Sequence, residues 1–470
     1  MDLDATTLLN LLKKGNITSE AIVTTYVEHI KKTNPPINAI VEERFDDAIA
    51  EARKYDQQKK NGTMPVGKLA GVPISVKESF HVANMKTTGG LEHRQDLISR
   101  VDAEVVRKLR NEGAIILGKT NTATLCYCQE TDNKLYGRTN NPWNLNATAG
   151  GSSGGEGALL AIGGSAVGIA SDIGGSIRIP SHFNGVVGFK PGMFKVSADG
   201  HYPEMTQPLQ QRMLGIGPMG KSVRDMELIY RIISDTSSTA ITLRDYKIEL
   251  LSEQVDYPLT ESTKRVLRAI EDFLDQLIFT KRGVPPLFDD SALLWQEIMS
   301  IDGSEVIERE AYSKDRSPII RTYLNEKLTK KTEIHPHLSW AILGSKLFRP
   351  SKKRIREINE IIKRGDEWLS DYLNDRLLIF PVYHTSAPEH GKVFKEIFSI
   401  RKTFLQYMPY IAYANVWGLP ALTLPVGKDD DGMPISIQII SAPGNEDAIF
   451  RLGSIIEKKF KGYERCKRLD

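Results

Sequence analysis

Residues 149–191 read AGGSSGGEGALLAIGGSAVGIASDIGGSIRIPSHFNGVVGFKP. A run so rich in glycine and serine has the composition of a flexible linker, yet its glycines alternate with Ala, Leu, Ile and Val that would be buried. Glycine in apolar surroundings marks a close backbone approach or a positive φ, and it suits a pocket of converging main-chain N–H groups. The stretch lacks the Gly-Lys-Ser/Thr ending of a phosphate-binding P-loop. Nor do its glycines follow a strand and open a helix as a dinucleotide fingerprint requires.

Outward from this stretch the pattern alternates between strand and helix. Residues 5–34 predict two amphipathic helices, broken at Asn16 to Glu20, with Thr18 or Ser19 capping the second. A helix is expected over 43–59, a buried strand over 69–76 (LAGVPISV), a helix over 102–112 and a strand over 114–117. Residues 200–380 are less regular, with charged helices at 264–277 and 353–375. Strand patterns return at 377–381, 421–426 and 435–440, before a helix at 445–460. Length alone suggests two or three domains, because single cores rarely grow past roughly 250–300 residues. Strands at both ends of the chain are needed to finish one sheet, however. The expectation is one α/β domain over 1–470, with a core at about 66–195 and an elaboration at about 200–380.

The 62 basic and 59 acidic side chains are interleaved, and a net charge of +3 makes no case for a nucleic-acid partner. Three cysteines, Cys126, Cys128 and Cys466, suggest a reducing compartment without structural disulfides. No second Cys pair completes a metal site with Cys126 and Cys128, which read as buried thiols beside a site. The first residues, MDLDATTLLNLLKKG, carry no signal, and the apolar run 158–173 is interrupted by Ser165, Ser171 and Asp172. A cytoplasmic protein with no transmembrane segment is expected.

Two serine sites stand out, Ser152 (with Ser153) and Ser176. A serine hydroxyl is a weak nucleophile until a base takes its proton. Gly150-x-Ser152-x-Gly154 fits a nucleophile elbow, which needs a downstream histidine, but His335, His337, His384 and His390 lack a comparable glycine-framed context. A buried lysine with a lowered pKa can serve instead. Lys77 is the candidate, closing the run Gly71-Val72-Pro73-Ile74-Ser75-Val76, where a solvated lysine is not expected.

Leu69-Ala70-Gly71-Val72-Pro73-Ile74-Ser75-Val76-Lys77-Glu78, Gly150 to Gly155 and Asp172 to Pro180 together resemble the amidase signature family. The similarity continues through Asn38-Ala39-Ile40-Val41, Gly217-Pro218-Met219, Gly418-Leu419-Pro420-Ala421 and Gly432-Met433-Pro434-Ile435. The resemblance implies a single α/β domain with a mixed, twisted sheet between layers of helices. It implies a Ser-Ser-Lys triad: Lys77 as base, Ser152 as bridging serine after a cis peptide, and Ser176 as nucleophile. The 24-residue separation of the serines matches the family and selects Ser152 over Ser153. Backbone N–H groups of Ile173, Gly174, Gly175 and Ser176 are implied as the oxyanion hole, with an acyl-enzyme intermediate and neither metal nor cofactor. Asp172 and Arg178 read as holding the glycine loop in place.

Glu156 and the wording of Asn140-Asn141-Pro142-Trp143 are most similar to the fatty acid amide hydrolase branch, where Cys126 would line an acyl pocket. The implied reaction is hydrolysis of a small-molecule carboxamide with a fatty-acyl or aryl group. The apolar residues Phe394, Ile397, Phe398, Phe404, Leu405 and Met408 have helical spacing, which suits core packing or peripheral lipid contact. A homodimer is compatible with this reading. The alternative is the glutamine-hydrolysing subunit of a tRNA-dependent amidotransferase complex. That branch needs an acid for the glutamine amino group, and the family count lands on Met408. A catalytically dead binding protein is disfavoured because all three triad positions are filled.

Overall fold

The computed structural model describes residues 1–63, 67–278, 280–313, 317–398 and 401–470. The core boundary expected at residue 66 lies outside them. Eleven strands among the described residues join one sheet. In chain order they are β1 (Ile40–Glu43), β2 (Pro73–Lys77), β3 (Ile115–Thr120), β4 (Val167–Asp172), β5 (Val187–Lys190) and β6 (Gly215–Gly220). They continue with β7 (Lys247–Leu251), β8 (Thr280–Gly283), β9 (Arg376–Pro381), β10 (Ala421–Lys428) and β11 (Pro434–Ile440).

Across the sheet the order is β1-β3-β2-β4-β6-β5-β10-β11-β9-β7-β8. The strands β3, β2 and β4 run parallel, as do β9, β7 and β8 on the other side. Every pair between β4 and β9 is antiparallel, and so is the edge pair β1·β3. The large mixed sheet is therefore as expected, and the short strands Asn140–Asn141 and Asn144–Thr148 pair apart from it. Its sandwiching follows from the two-residue period of a strand. In β9, Leu377 and Ile379 enter one apolar cluster with the helices Ala5–Lys14, Ser19–Ile37 and Glu446–Phe460. Leu378 and Phe380 enter another with Trp295, Ile358 and Tyr413. A sheet apolar on both faces needs a helical layer on each.

The helix Ser19–Ile37 forms as its sequence dictates: Thr18 accepts from Ala21 N at its start, and Ile22, Val23, Tyr26, Val27 and Ile30 are buried. Six strands carried no recognisable strand pattern: β1 and β4 to β8. The reason is visible in β6, Gly-Ile-Gly-Pro-Met-Gly, whose composition argues against a strand. Its glycines serve close approach instead, since a Cβ on Gly217 would sit 2.0 Å from the Phe189 carbonyl oxygen. Residues 200–380 consequently supply β6, β7, β8 and part of β9 to the same sheet. Phe394, Ile397 and Phe398 lie on the helix Lys392–Phe398, Phe404 and Leu405 on Arg401–Tyr407, and Met408 caps Pro409–Val416, with Ile397, Phe404 and Met408 buried. Among the described residues no helix is long and apolar enough to cross a membrane.

Candidate active site

The adjacent parallel strands β2 and β4 end side by side, and open α/β sheets bind ligands at such carboxyl ends. Lys77 is the last residue of β2, in which every side chain is buried. Ser171 and Asp172 are the last two of β4. The chain enters through Gly150, at φ 76°, and a cis Gly151–Ser152 peptide, as the family resemblance implied. The Ser152 carbonyl accepts from Ala123 N and Thr131 Oγ1, and Thr131 Oγ1 in turn accepts from Gly154 N at the start of the fully buried helix Gly154–Ala161.

Lys77 Nζ lies 2.7 Å from Ser152 Oγ and donates to Ser171 Oγ at 3.0 Å. The neighbouring Ser153 Oγ is buried without a partner among the described residues, so the amine distinguishes the two serines. Burial pushes the Lys77 pKa down, against the opposing pull of Cys126, Asp172 and Glu78. A lowered pKa makes the neutral amine, the form that accepts a proton, easier to reach. Glu156 is a structural carboxyl: it accepts from Thr120 at 2.8 Å and from Ser75, and burial raises it to about 7.

Asp172 organises the turn into the helix Arg178–Asn184. It accepts from Gly175 N at 2.9 Å and Ile177 N at 3.2 Å, and pairs with Arg178 at 3.0 Å, both side chains being wholly buried. Arg178 also donates to Ile411 O, Gln438 Oε1 and Asn415 Oδ1. Desolvation works against the Asp172 carboxylate, but Arg178, Lys190 and Asn415 hold its pKa well below the usual range. Asp172 and Arg178 thus hold the loop, as expected.

Two further bonds set the peptide planes. Trp295 Nε1 donates to Ile173 O at 2.7 Å, and Gln129 Nε2 donates to Gly174 O at 3.0 Å. In a trans peptide the N–H points opposite to the C=O. The Gly174 N–H is therefore turned away from Trp295, and among the described residues no group accepts from Ile173, Gly174 or Ser176 N–H. Gly175 departs from the expected set of four donors. Its N–H is taken by Asp172, because the carboxylate anchors the turn from inside.

Ser176 is 3% exposed, and its hydroxyl makes no hydrogen bond among the described residues. It does not bond Ser152 directly; the two line one small cavity of about 20 Å³ with Ser171, Cys126 and His201. Ser176 also opens onto a larger cavity of about 380 Å³. That cavity is walled by Tyr127, Trp295, Met299, Trp340, Leu347 and Phe404, among others, and no Asp, Glu, Lys, Arg or His side chain lines it among the described residues. Ile397 and Phe398 from the apolar stripe face it as well, whereas Met408 does not.

Cys126 lines both cavities. Burial raises its pKa, but Lys77 and His201 outweigh that and bring the thiol down to about 5. The Cys128 thiol, buried and near Glu130, is raised. All three cysteines are free thiols. None of the four histidines considered for the elbow reading bonds Ser152: His335 sits 3.7 Å from Asp132, His337 stacks on Phe394, His384 meets Glu396, and His390 meets Leu145 O. Among the described residues no cluster of three or more potential ligands is placed to hold a metal.

Sequence reasoning missed Ser171, His201, Gln129 and Trp295. None carries a local signal, since each reaches the site from an element distant in sequence or, like Ser171, hides in an apolar strand.

The Amidase family model matches residues 21–450. Fatty-acid amide hydrolase 2 of Homo sapiens is 31% identical, covering 97% of this chain and 88% of its own length. A glutamyl-tRNA(Gln) amidotransferase subunit of Clostridium acetobutylicum is 29% identical, covering 98% and 99%. A solved fatty acid amide hydrolase superposes with a TM-score of 0.82 at 20% identity, over 97% of this chain and 85% of that one, a likeness of fold. Because the family match runs from the second helix into the last, the protein belongs to the amidase signature family and is a hydrolase that cleaves amides.

Proposed function

We propose that this amidase hydrolyses a carboxamide whose acyl part is apolar, fatty-acyl or aryl, through Lys77, Ser152 and Ser176. The observation that carries the acyl preference is the mostly apolar cavity of about 380 Å³, lined by no Asp, Glu, Lys, Arg or His among the described residues, with Ser176 in its wall. The relay rests on a buried amine 2.7 Å from Ser152 Oγ and on a cavity shared by the two serines.

Neutral Lys77 takes the proton of Ser152, and Ser152 takes that of Ser176 as Ser176 Oγ bonds the amide carbon. Contacts of this kind tighten when substrate binds, which is how the serines come within reach. The carbonyl oxygen, now anionic, receives the free N–H groups of Ile173, Gly174 and Ser176, one such donor being worth roughly 3–4 kcal/mol. The relay then runs in reverse, the amine leaves with its proton, and the C–N bond breaks. Water, deprotonated by the same relay, releases the acid from the Ser176 ester. Free thiols beside the site support work in a reducing compartment such as the cytoplasm.

Glutamine is disfavoured as substrate. Its ammonium group needs a carboxylate, and Met408, where the family count places one, is a buried apolar residue outside the cavity lining.

The test is a panel of amides of one amine with increasing acyl length, measured for the native chain and Ser176→Ala. The native kcat/KM should rise by up to roughly four-fold per methylene until the cavity fills, from about 0.8 kcal/mol per buried CH₂. Ser176→Ala should lose about 10⁴-fold or more while remaining folded. A flat length series rejects the apolar acyl group, and turnover by Ser176→Ala rejects the nucleophile.

A further inference from the structure

His201 lies 124 residues beyond Lys77 in the chain, yet its ring ends in the same hydrogen-bond network. The loop that carries it is fastened to the segment just after Lys77. His81 N donates to Gly200 O at 2.8 Å, Tyr202 N donates to Ser79 O at 2.7 Å, and Phe80 packs edge-on against the imidazole. The ring is thus placed in register with the base.

Its two nitrogens have unlike neighbours. Nδ1 lies 3.3 Å from the Pro203 carbonyl oxygen, and Nε2 lies 2.9 Å from Ser171 Oγ. A carbonyl oxygen only accepts, so neutral His201 carries its proton on Nδ1 and offers Nε2 as an acceptor. The Ser171 hydroxyl must then donate to Nε2. Its oxygen remains to accept from Lys77 Nζ at 3.0 Å. A neutral amine has one lone pair, and with an N–H committed to Ser171 that pair stays free to face Ser152 Oγ, 2.7 Å away. A Ser171 hydroxyl released from His201 would donate to Nζ and occupy the lone pair that must take the Ser152 proton.

We propose that His201 is a positioning residue for the Lys77 base, acting through Ser171. The inference rests on the reading of Lys77 as base. It assigns a directional task to two residues outside the triad.

The experiment is a double-mutant cycle on His201→Leu and Ser171→Ala, with His201→Gln as the conservative variant and Ser176→Ala alongside. His201→Leu should lower kcat by about 10- to 100-fold, part of the 10²- to 10⁴-fold that acid–base catalysis supplies, with KM within about two-fold. In the Ser171→Ala background the same substitution should cost almost nothing, because no hydroxyl is left to orient. His201→Gln, whose Oε1 accepts, should recover most of the loss. An equal loss in both backgrounds, a change confined to KM, or no recovery with glutamine overturns the inference. His201→Met runs the same cycle if the leucine variant does not fold. An active Ser176→Ala would instead overturn the underlying mechanism, so the two failures are distinguishable.

Discussion

The turn from Asp172 to Arg178 and the cavity wall built by residues 295–404 meet at Ser176, and they are made on opposite principles. In the turn the anchoring groups are paired, and the N–H groups of Ile173, Gly174 and Ser176 are left free for the substrate. One buried carboxylate serves three backbone amides and an arginine, and that arginine reaches Ile411, Asn415 and Gln438. The wall is apolar and loosely specified, with Trp295 stacked on Phe404 and Leu347 70% exposed at its mouth. Directional bonds fix atoms to fractions of an ångström, as reacting groups require, whereas apolar packing tolerates changes of shape. Chemistry is thereby separated from selectivity. Substitutions of the anchors Asp172 and Arg178 should cost stability and all turnover together, and substitutions in the wall other than at Gln129 and Trp295, which bond the turn, should alter only which substrate is preferred.

The largest effect is expected from Arg178→Met. It leaves Asp172 as a buried charge without its cation, a situation that costs about 3–5 kcal/mol. Denaturant unfolding should show that loss, and reaction of Ser176 with a fluorophosphonate should fall even for the fraction that remains folded. A variant with native stability and native labelling would mean that the hydrogen bonds from Gly175, Ile177 and Asn415 suffice to hold the turn.

The contrast also explains what the sequence made legible. The turn is written in local motif: Asp172, Gly174, Gly175, Ser176 and Arg178 lie within seven residues, and Lys77 closes a strand too apolar for a solvated amine. The wall is assembled from the loop 126–129, the helices Ser291–Met299 and Pro336–Leu347, and Ile397, Phe398 and Phe404. No spacing rule links such segments. Strands failed for a related reason, since β6 satisfies its neighbours with glycines where side chains would collide, and strand propensity reads that as a loop. Gly175 was legible as part of the cradle but not in its task, because only the folded turn reveals that Asp172 takes its N–H.

A smaller effect is expected in the wall. Leu347 is exposed, so Leu347→Asp should leave stability within about 0.5 kcal/mol. A carboxylate at the mouth of a mostly apolar cavity must be desolvated or displaced as an apolar chain enters. The KM for long acyl amides should rise by about 10-fold, and that for acetyl amides should not move. Equal changes for both would show that the chain does not pass Leu347, and the separation of wall from turn would need redrawing.

The smallest effect concerns Cys126, which lines both cavities beside Ser176. Turnover needs neutral Lys77, so kcat/KM should rise with pH through the Lys77 pKa. Cys126 favours the ammonium form and thereby raises that pKa, against the downward push of burial. Removing the thiol takes away one stabiliser of the charged amine, while Asp172 and Glu78 remain. In Cys126→Ala the acid limb of kcat/KM should therefore move to lower pH, and in Cys126→Asp, which keeps a negative charge there, it should not. Both variants leave the Asp172–Arg178 pair intact, so their unfolding midpoints should stay close to that of the native chain. If the acid limb stays fixed in Cys126→Ala, the thiol belongs to the wall alone, and Lys77 is tuned only by burial and its carboxylate neighbours.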